Sequence, residues 1–401
     1  MLSDRIKAMS ESATLAMAAK AREFKAKGID VISLSLGEPD FKTPKHIQEA
    51  AKAAIDSGEY FAYPPVPGYN DLRDAIAEKL KRDNGLNWKG ENIVVSTGAK
   101  QSLANVMMAL LNPGDEVVVF SPFWVSYTEL IKLGEGTPVF VDGTLENGFK
   151  VTPEQFEAAI TDKTKLVIYS SPSNPTGAVY SKDELEELAA VLRKYPNILV
   201  VSDEIYEYIN FSEQHASIGA LEGMADRVIT VNGYSKGFAM TGWRIGYIAA
   251  PLWIAKACTK IQGQITSGAN SIAQRAALAA ITSDMGPTKE MTKAYHGRRQ
   301  LVLDLLNEIP GVKTYLPNGA FYIFPDVSAY LGTKVGDTEI NTAGDLCMYL
   351  LNEEHVSLVT GEAFGAPQCV RISYAASEEN LREALKRIKS ALARLEPAPV
   401  A

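Results

Sequence analysis

The feature that most constrains this chain is a series of short Val- and Ile-rich runs, most of them apolar on both faces. They are NIVVS (92–96), EVVVF (116–120), LVIYS (166–170), ILVVSD (198–203), RVITVN (227–232) and IGYIAA (245–250). A strand with one face in water alternates apolar and polar residues. A strand apolar on both faces belongs between helix layers, as in a parallel sheet. Helical periodicity fills the gaps at 99–111, 153–160, 182–194 and 268–283, and NPGDE (112–116) ends one helix and turns into the next strand. The expected fold is α/β, with a mostly parallel central sheet between helices. After residue 288 the pattern changes. A long helix (288–308) with one polar face precedes short strands FYIF (321–324), VSLVT (356–360) and CVRISYA (369–375), with helices at 341–353 and 377–395. This predicts a smaller α+β domain built from both chain ends: 46–294 as the large domain, 1–45 and 295–401 as the small one. With 401 residues, 46% of them hydrophobic, the chain can bury two such cores. The tail EPAPVA (396–401) reads as unstructured.

Composition narrows the function. A formal net charge of -8 argues against nucleic acid as the main partner, because phosphate backbones need a basic face. The start, MLSDRIKAMSESATLAMAAKARE, is charged throughout, and no stretch reaches the roughly 18 apolar residues of a spanning helix. A cytoplasmic protein without a membrane partner is expected. Cys258, Cys347 and Cys369 are dispersed and lack CxxC spacing, so neither a disulfide framework nor a zinc site is expected. His46, His215, His296 and His355 stand singly and read as surface or core residues rather than metal ligands.

In sheets of this kind ligands sit beyond the carboxyl ends of the strands. Polar, glycine or aromatic residues follow several runs: Ser96-Thr97-Gly98, Pro122-Phe123-Trp124, Ser173-Asn174, Asp203-Glu204 and Gly233-Tyr234-Ser235-Lys236. Together they suggest one site. Lys236 lies in VNGYSKGFAMTGWRIGY (231–247), a strand end running into a Gly/Ser turn, with Arg244 eight positions on. An imine-forming lysine must spend time as the neutral amine, which burial and cationic neighbours favour; the competing reading is a surface lysine in a loop. Asp203 ends an apolar strand, where a carboxylate needs a partner, and it reads either as a ligand-binding acid or as a cap or salt-bridge residue. SPSNPTG (171–177) marks a tight turn at Asn174. STGAKQ (96–101) is strand, glycine turn and helix start, where free backbone N–H groups suit phosphate, although the P-loop spacing is missing.

These motifs (NPTG, SDEIY, GYSKGFAMTGWRIGY and VRISYA) resemble the class I aminotransferases of fold type I, over about Ser12 to Leu395. SAT (12–14), LGEPDF (36–41), PFWVSY (122–127) and GAKQ resemble the bacterial aspartate aminotransferase subgroup that includes prephenate-using members. The resemblance implies pyridoxal 5'-phosphate as cofactor, carried by Lys236 as an imine. It implies that Lys236 shuttles a proton and that Asp203 keeps the pyridine nitrogen protonated, making the ring an electron sink. Asn174 and Tyr206 are implied to hold the ring oxygen, and Trp124 to stack on the ring. Ser235, Arg244 and the backbone of Gly98, Ala99 and Lys100 would hold the phosphate. Tyr63 would reach the phosphate of a neighbouring subunit, implying a homodimer with shared active sites. Arg371 would grip the substrate α-carboxylate, and Gly37 would let the backbone approach the substrate; Trp124 and Asn174 would also contact it. Lys100 would attract a distal carboxylate while Thr14 helps close the pocket.

The activity so implied is ping-pong transfer of the amino group of aspartate or glutamate to a 2-oxo acid such as 2-oxoglutarate, with closure of the small domain excluding water. Prephenate or aromatic substrates, or a lyase reaction on the same fold, are the alternatives. The sequence departs from the subgroup at MSESAT, where KPSAT is usual, and at Arg275, where an aromatic is usual.

Overall fold

The computed structural model describes residues 2–212 and 214–397. Its central sheet has seven strands: β1 (Ile93–Ser96), β2 (Glu116–Ser121), β3 (Thr137–Asp142), β4 (Thr164–Ser170), β5 (Leu199–Asp203), β6 (Val228–Gly233) and β7 (Gly246–Ala249). Their order is β1-β7-β6-β5-β4-β2-β3. The pairs among β3, β2, β4, β5 and β6 are parallel, and β7 runs against both β1 and β6. Alternate residues feed opposite faces. Val117, Val119, Ile168, Val201 and Ile229 pack under helices Ala99–Leu110, Ser126–Leu133 and Leu252–Ile265. Val118, Phe120, Val167, Tyr169 and Val200 pack against helix Lys182–Lys194, whose Ser181–Glu184 capping box satisfies its first N–H groups.

The six anticipated strands lie within a residue or two of their expected bounds. β3 was not anticipated. It is an edge strand with only Val141 buried, so it lacks the two-faced apolar signature. Helix Leu252–Ile265 was also not anticipated, and the helix expected at 268–283 starts only at Ser271, capped by Asn270.

Beyond the sheet, β8 (Tyr322–Ile323), β9 (Val359–Thr360) and β10 (Val370–Ser373) form an antiparallel sheet in the order β9-β10-β8. The expected strand 356–360 is in fact two. Val356–Ser357 pairs in parallel with Ile32–Ser33, and β9 pairs with β10. The N-terminal arm is thereby stitched to the C-terminal region, and Ile32, Leu34 and Phe41 join a core with helices Gly286–Asn307, Ala343–Glu354 and Glu378–Leu392. The expectation for the tail fails at Glu396–Pro397, which pairs with Thr333 and Lys334; residues 398–401 lie outside the described part. The three cysteines are buried and unpaired. Among the described residues no helix is long and apolar enough to cross a membrane.

Candidate active site

The carboxyl ends of β4 and β5, the turn after β6, the start of helix Ala99–Leu110 and strand β10 converge on a cavity of about 440 Å³. Gly37, Ala99, Lys100, Trp124, Asn174, Asp203, Tyr206, Ser235, Lys236, Arg244 and Arg371 all line it. Phe123, Ser173 and Glu204, adjacent to lining residues in the sequence, do not.

Lys236 leaves the turn after β6 and donates from Nζ to the Gly37 carbonyl at 2.5 Å. Burial, with Arg371 and Arg244 nearby, pushes its amine down to about 8, against the pull of Glu38 and Asp203. About a tenth of the amine is therefore neutral at pH 7, far more than for an ordinary lysine, and a nucleophilic amine reacts in that form. Asp203, at the end of β5, is 4% exposed. Burial lifts its carboxyl to about 6, opposed by the Tyr127 hydroxyl donating to Oδ2 at 2.6 Å and the Ile205 N–H donating to Oδ1 at 3.2 Å. It is thus mostly ionised at pH 7 and well placed to face a cationic ring nitrogen. Tyr206 shares a hydrogen bond of 2.6 Å with the Tyr322 hydroxyl, and burial raises its phenol well above the usual range.

At one end of the cavity Arg244 adopts a left-handed backbone (φ 55) and donates to the Thr241 carbonyl at 2.8 Å. Two glycines bring it against the helix start. A Cβ on Gly98 (φ 81) would lie 2.5 Å from Arg244 Nη2, and one on Gly246 would lie 2.3 Å from the Ala99 nitrogen. Among the described residues the N–H groups of Ala99 and Lys100 have no acceptor, as expected in the first turn of a helix without a side-chain cap. A guanidinium and free helix N–H groups together make an anion seat. At another wall Arg371, 1% exposed, donates to Asn174 Oδ1 at 2.8 Å and the Ser35 carbonyl at 2.6 Å, with its guanidinium 4.6 Å over the Tyr322 ring. Among the described residues it has no carboxylate partner and its Nε has no acceptor. A buried cation without a counterion is costly, so this position is built to receive an anion. Lys100, open to solvent at the rim, sits 5.0 Å over the Trp124 ring, and partial burial and Arg244 lower its amine. Thr14 and Ser12 complete the wall.

Residues 29–388 match the family of class I and II aminotransferases. The chain belongs to that family. It is 48% identical to a probable aspartate/prephenate aminotransferase of Rhizobium leguminosarum bv. phaseoli, over 97% of this chain and 98% of the relative. It is 46% identical to an aspartate aminotransferase of Pinus pinaster, over 100% of this chain and 82% of the relative. The solved aspartate aminotransferase of Rhizobium meliloti superposes with a TM-score of 0.95 at 43% identity, covering 99% of this chain and 100% of that one. That of Thermus thermophilus with maleate gives 0.92 at 42% identity, over 98% and 99%. Enzymes of this family work with pyridoxal 5'-phosphate, and none of these relatives supports the lyase reading.

Tyr63 is not brought to this aminotransferase's cavity. It is 94% exposed. Arg275 does not line the cavity; it bridges to Asp71 at 2.5 and 2.8 Å with its guanidinium 4.6 Å over Tyr69 and 5.0 Å over Tyr60. Tyr127 and Tyr322 also belong to the site, their hydroxyls holding Asp203 and Tyr206. Tyr127 lies inside the quoted motif PFWVSY, but its contact with Asp203 is long-range and leaves no local signal.

Proposed function

We propose that this aminotransferase moves the amino group of aspartate or glutamate to a 2-oxo acid such as 2-oxoglutarate, with pyridoxal 5'-phosphate bound at Lys236. The observation that carries the reading is the part-buried Lys236 amine in one cavity with a buried Arg371 that has no carboxylate partner among the described residues. The residues suit the cofactor. Ser235, Arg244 and the Gly98–Lys100 backbone offer donors to a phosphate, Asp203 offers an anion to a pyridinium, and Asn174 and Tyr206 offer donors to a ring oxygen. When bound, the cofactor supplies an aldehyde that takes up the amino group and an electron-poor ring that stores the substrate's electron pair.

The chain supplies the rest. Arg371 orients the amino acid by its α-carboxylate, and Gly37, where a Cβ would collide with the Tyr322 hydroxyl, lets the chain's backbone approach the substrate. Lys100 draws the distal carboxylate, and Trp124 covers the ring face. With the cofactor bound, the Lys236 amine would be the group within reach to take the α-proton of the substrate and to give it back. Asp203, kept ionised by the Tyr127 hydroxyl, holds the proton on the ring nitrogen. Prephenate as a further acceptor is a second reading, favoured by the aspartate/prephenate name of the Rhizobium leguminosarum relative.

Aspartate added to the loaded enzyme should convert the cofactor to its amine form and release oxaloacetate, seen by absorbance. No conversion would exclude aspartate as donor. Lys236→Ala should lower kcat by roughly a thousand-fold or more while circular dichroism stays native; near-normal turnover would overturn the assignment.

A further inference from the structure

The turn after β5 has two sides. Asp203 and Tyr206 line the cavity, whereas Glu204 and Glu207 enter a buried polar cluster on the far side. The Glu207 N–H donates to the Glu204 carbonyl at 2.9 Å and closes the turn. Glu204, 1% exposed, accepts at Oε2 from His215 Nε2 at 2.8 Å, Ser217 Oγ at 2.6 Å and Asn84 Nδ2 at 3.1 Å, and at Oε1 from Ser202 Oγ at 3.0 Å. Glu207 pairs with the Lys79 ammonium and accepts from Asn84 Nδ2 at 2.8 Å. Lys79 also donates to Asn84 Oδ1 at 2.9 Å and sits 5.1 Å over the Tyr208 ring.

The charges can be counted. Two buried carboxylates face one buried ammonium, so the cluster is neutral only when His215 carries its proton. The ligand atoms of Glu204, Glu207 and His215 lie within 4.8 Å of one another, a spacing that could suit a metal cation, but the Lys79 ammonium already contacts Glu207. Burial works against charge on His215, Glu204 and then Glu207 favour it, Lys79 opposes it, and the balance raises the imidazole from its ordinary value. On its outer side His215 borders a groove with Arg82, Asp83, Lys289, Lys293 and His296, of which Arg82, both lysines and His296 are exposed and screened by water.

We propose that this charge-balanced cluster is a positioning device for the active site: Lys79, Asn84 and protonated His215 clamp Glu204 and Glu207, which fixes Asp203 and Tyr206 on the opposite side of the turn and spares the Asp203 carboxylate a neighbouring excess of negative charge. An unbalanced cluster would carry one net negative charge beside Asp203, whose ionisation Glu204 already opposes. The inference rests on the cofactor reading only in what Asp203 faces.

The test measures pyridoxal 5'-phosphate affinity of the apoprotein from pH 5 to 8.5, by fluorescence quenching, for the native chain, His215→Gln, Glu204→Gln and the double variant. In His215→Gln the loss of affinity on acidification should begin about half a pH unit or more higher, since an uncompensated like charge favours the protonated carboxyl. The double variant removes both members of the pair and should return toward the native profile. A purely structural role predicts the double variant to be at least as impaired as either single one. An unmoved profile in folded His215→Gln, or a double variant displaced further, overturns the proposal. Independently, nitrogen NMR of the native apoprotein should find the His215 ring protonated at pH 7; a neutral ring overturns the proposal even where the variants do not fold. Failure of the native chain to bind the cofactor at all would instead strike the proposed function, leaving the ring titration to judge the cluster.

Discussion

Arg371 spends both terminal nitrogens on Asn174 and the Ser35 carbonyl and lies between the Tyr322 and Phe364 rings, at 4.6 and 4.9 Å. Lysine has neither the planar fork nor the stacking surface for that seat. Arg371→Lys should raise KM for aspartate by about 10- to 100-fold, the worth of one or more charge-assisted hydrogen bonds; an unchanged KM in steady-state assays would remove Arg371 from the substrate site. The amine of Lys236, lowered from 10.5 to about 8, is mostly ammonium below that pH and mostly free amine above it. The rate at which apoprotein combines with pyridoxal 5'-phosphate should therefore climb as pH rises through about 8 and level off above it, followed by stopped-flow absorbance. A midpoint near 10.5 would show that the lysine is not desolvated. Lys236 and Asp203 were legible in the sequence because each follows an apolar strand, where a charged residue needs a reason. The Tyr127–Asp203 and Tyr206–Tyr322 contacts were not legible, because they join residues 76 and 116 positions apart.

Elements explain how the anion seat is assembled. Helix Ala99–Leu110 begins against the amino end of β7 only because Gly246 has no side chain there. Gly246→Ala would drive a methyl into backbone atoms of Gly98 and Ala99, which cannot swing aside. The expected cost is about 1–3 kcal/mol of stability in urea unfolding, with weaker cofactor retention; a variant that keeps both would show that the helix start moves freely. The buried strands were readable because β4, β5 and β6 are apolar on both faces. Edge strand β3 and the two-residue strand at Ile32 carry too few residues, or too little burial, for periodicity to register, and the run VSLVT gives no sign that it divides between two sheets.

For the molecule as a whole, we propose the division into a cofactor-binding domain (46–294) and a domain from both ends (1–45 and 295–401), supported by the pairing of Ile32–Ser33 with Val356–Ser357. We also propose a homodimer in which Tyr63 donates to the partner's phosphate, supported by its 94% exposure beside exposed Phe61. Sedimentation should give a dimer, and Tyr63→Phe should weaken cofactor affinity about ten-fold, the loss of one hydrogen bond to a charged group; full affinity in that variant would separate Tyr63 from the site. The strand order has a further consequence. β1 touches the rest of the sheet only through β7, which arrives late in the chain and carries Arg244 at its entrance. A nascent polypeptide that ends before Arg244 lacks both the strand on which β1 docks and the guanidinium of the anion seat. The anion seat is thus finished by the same late segment that closes the sheet over its first strand.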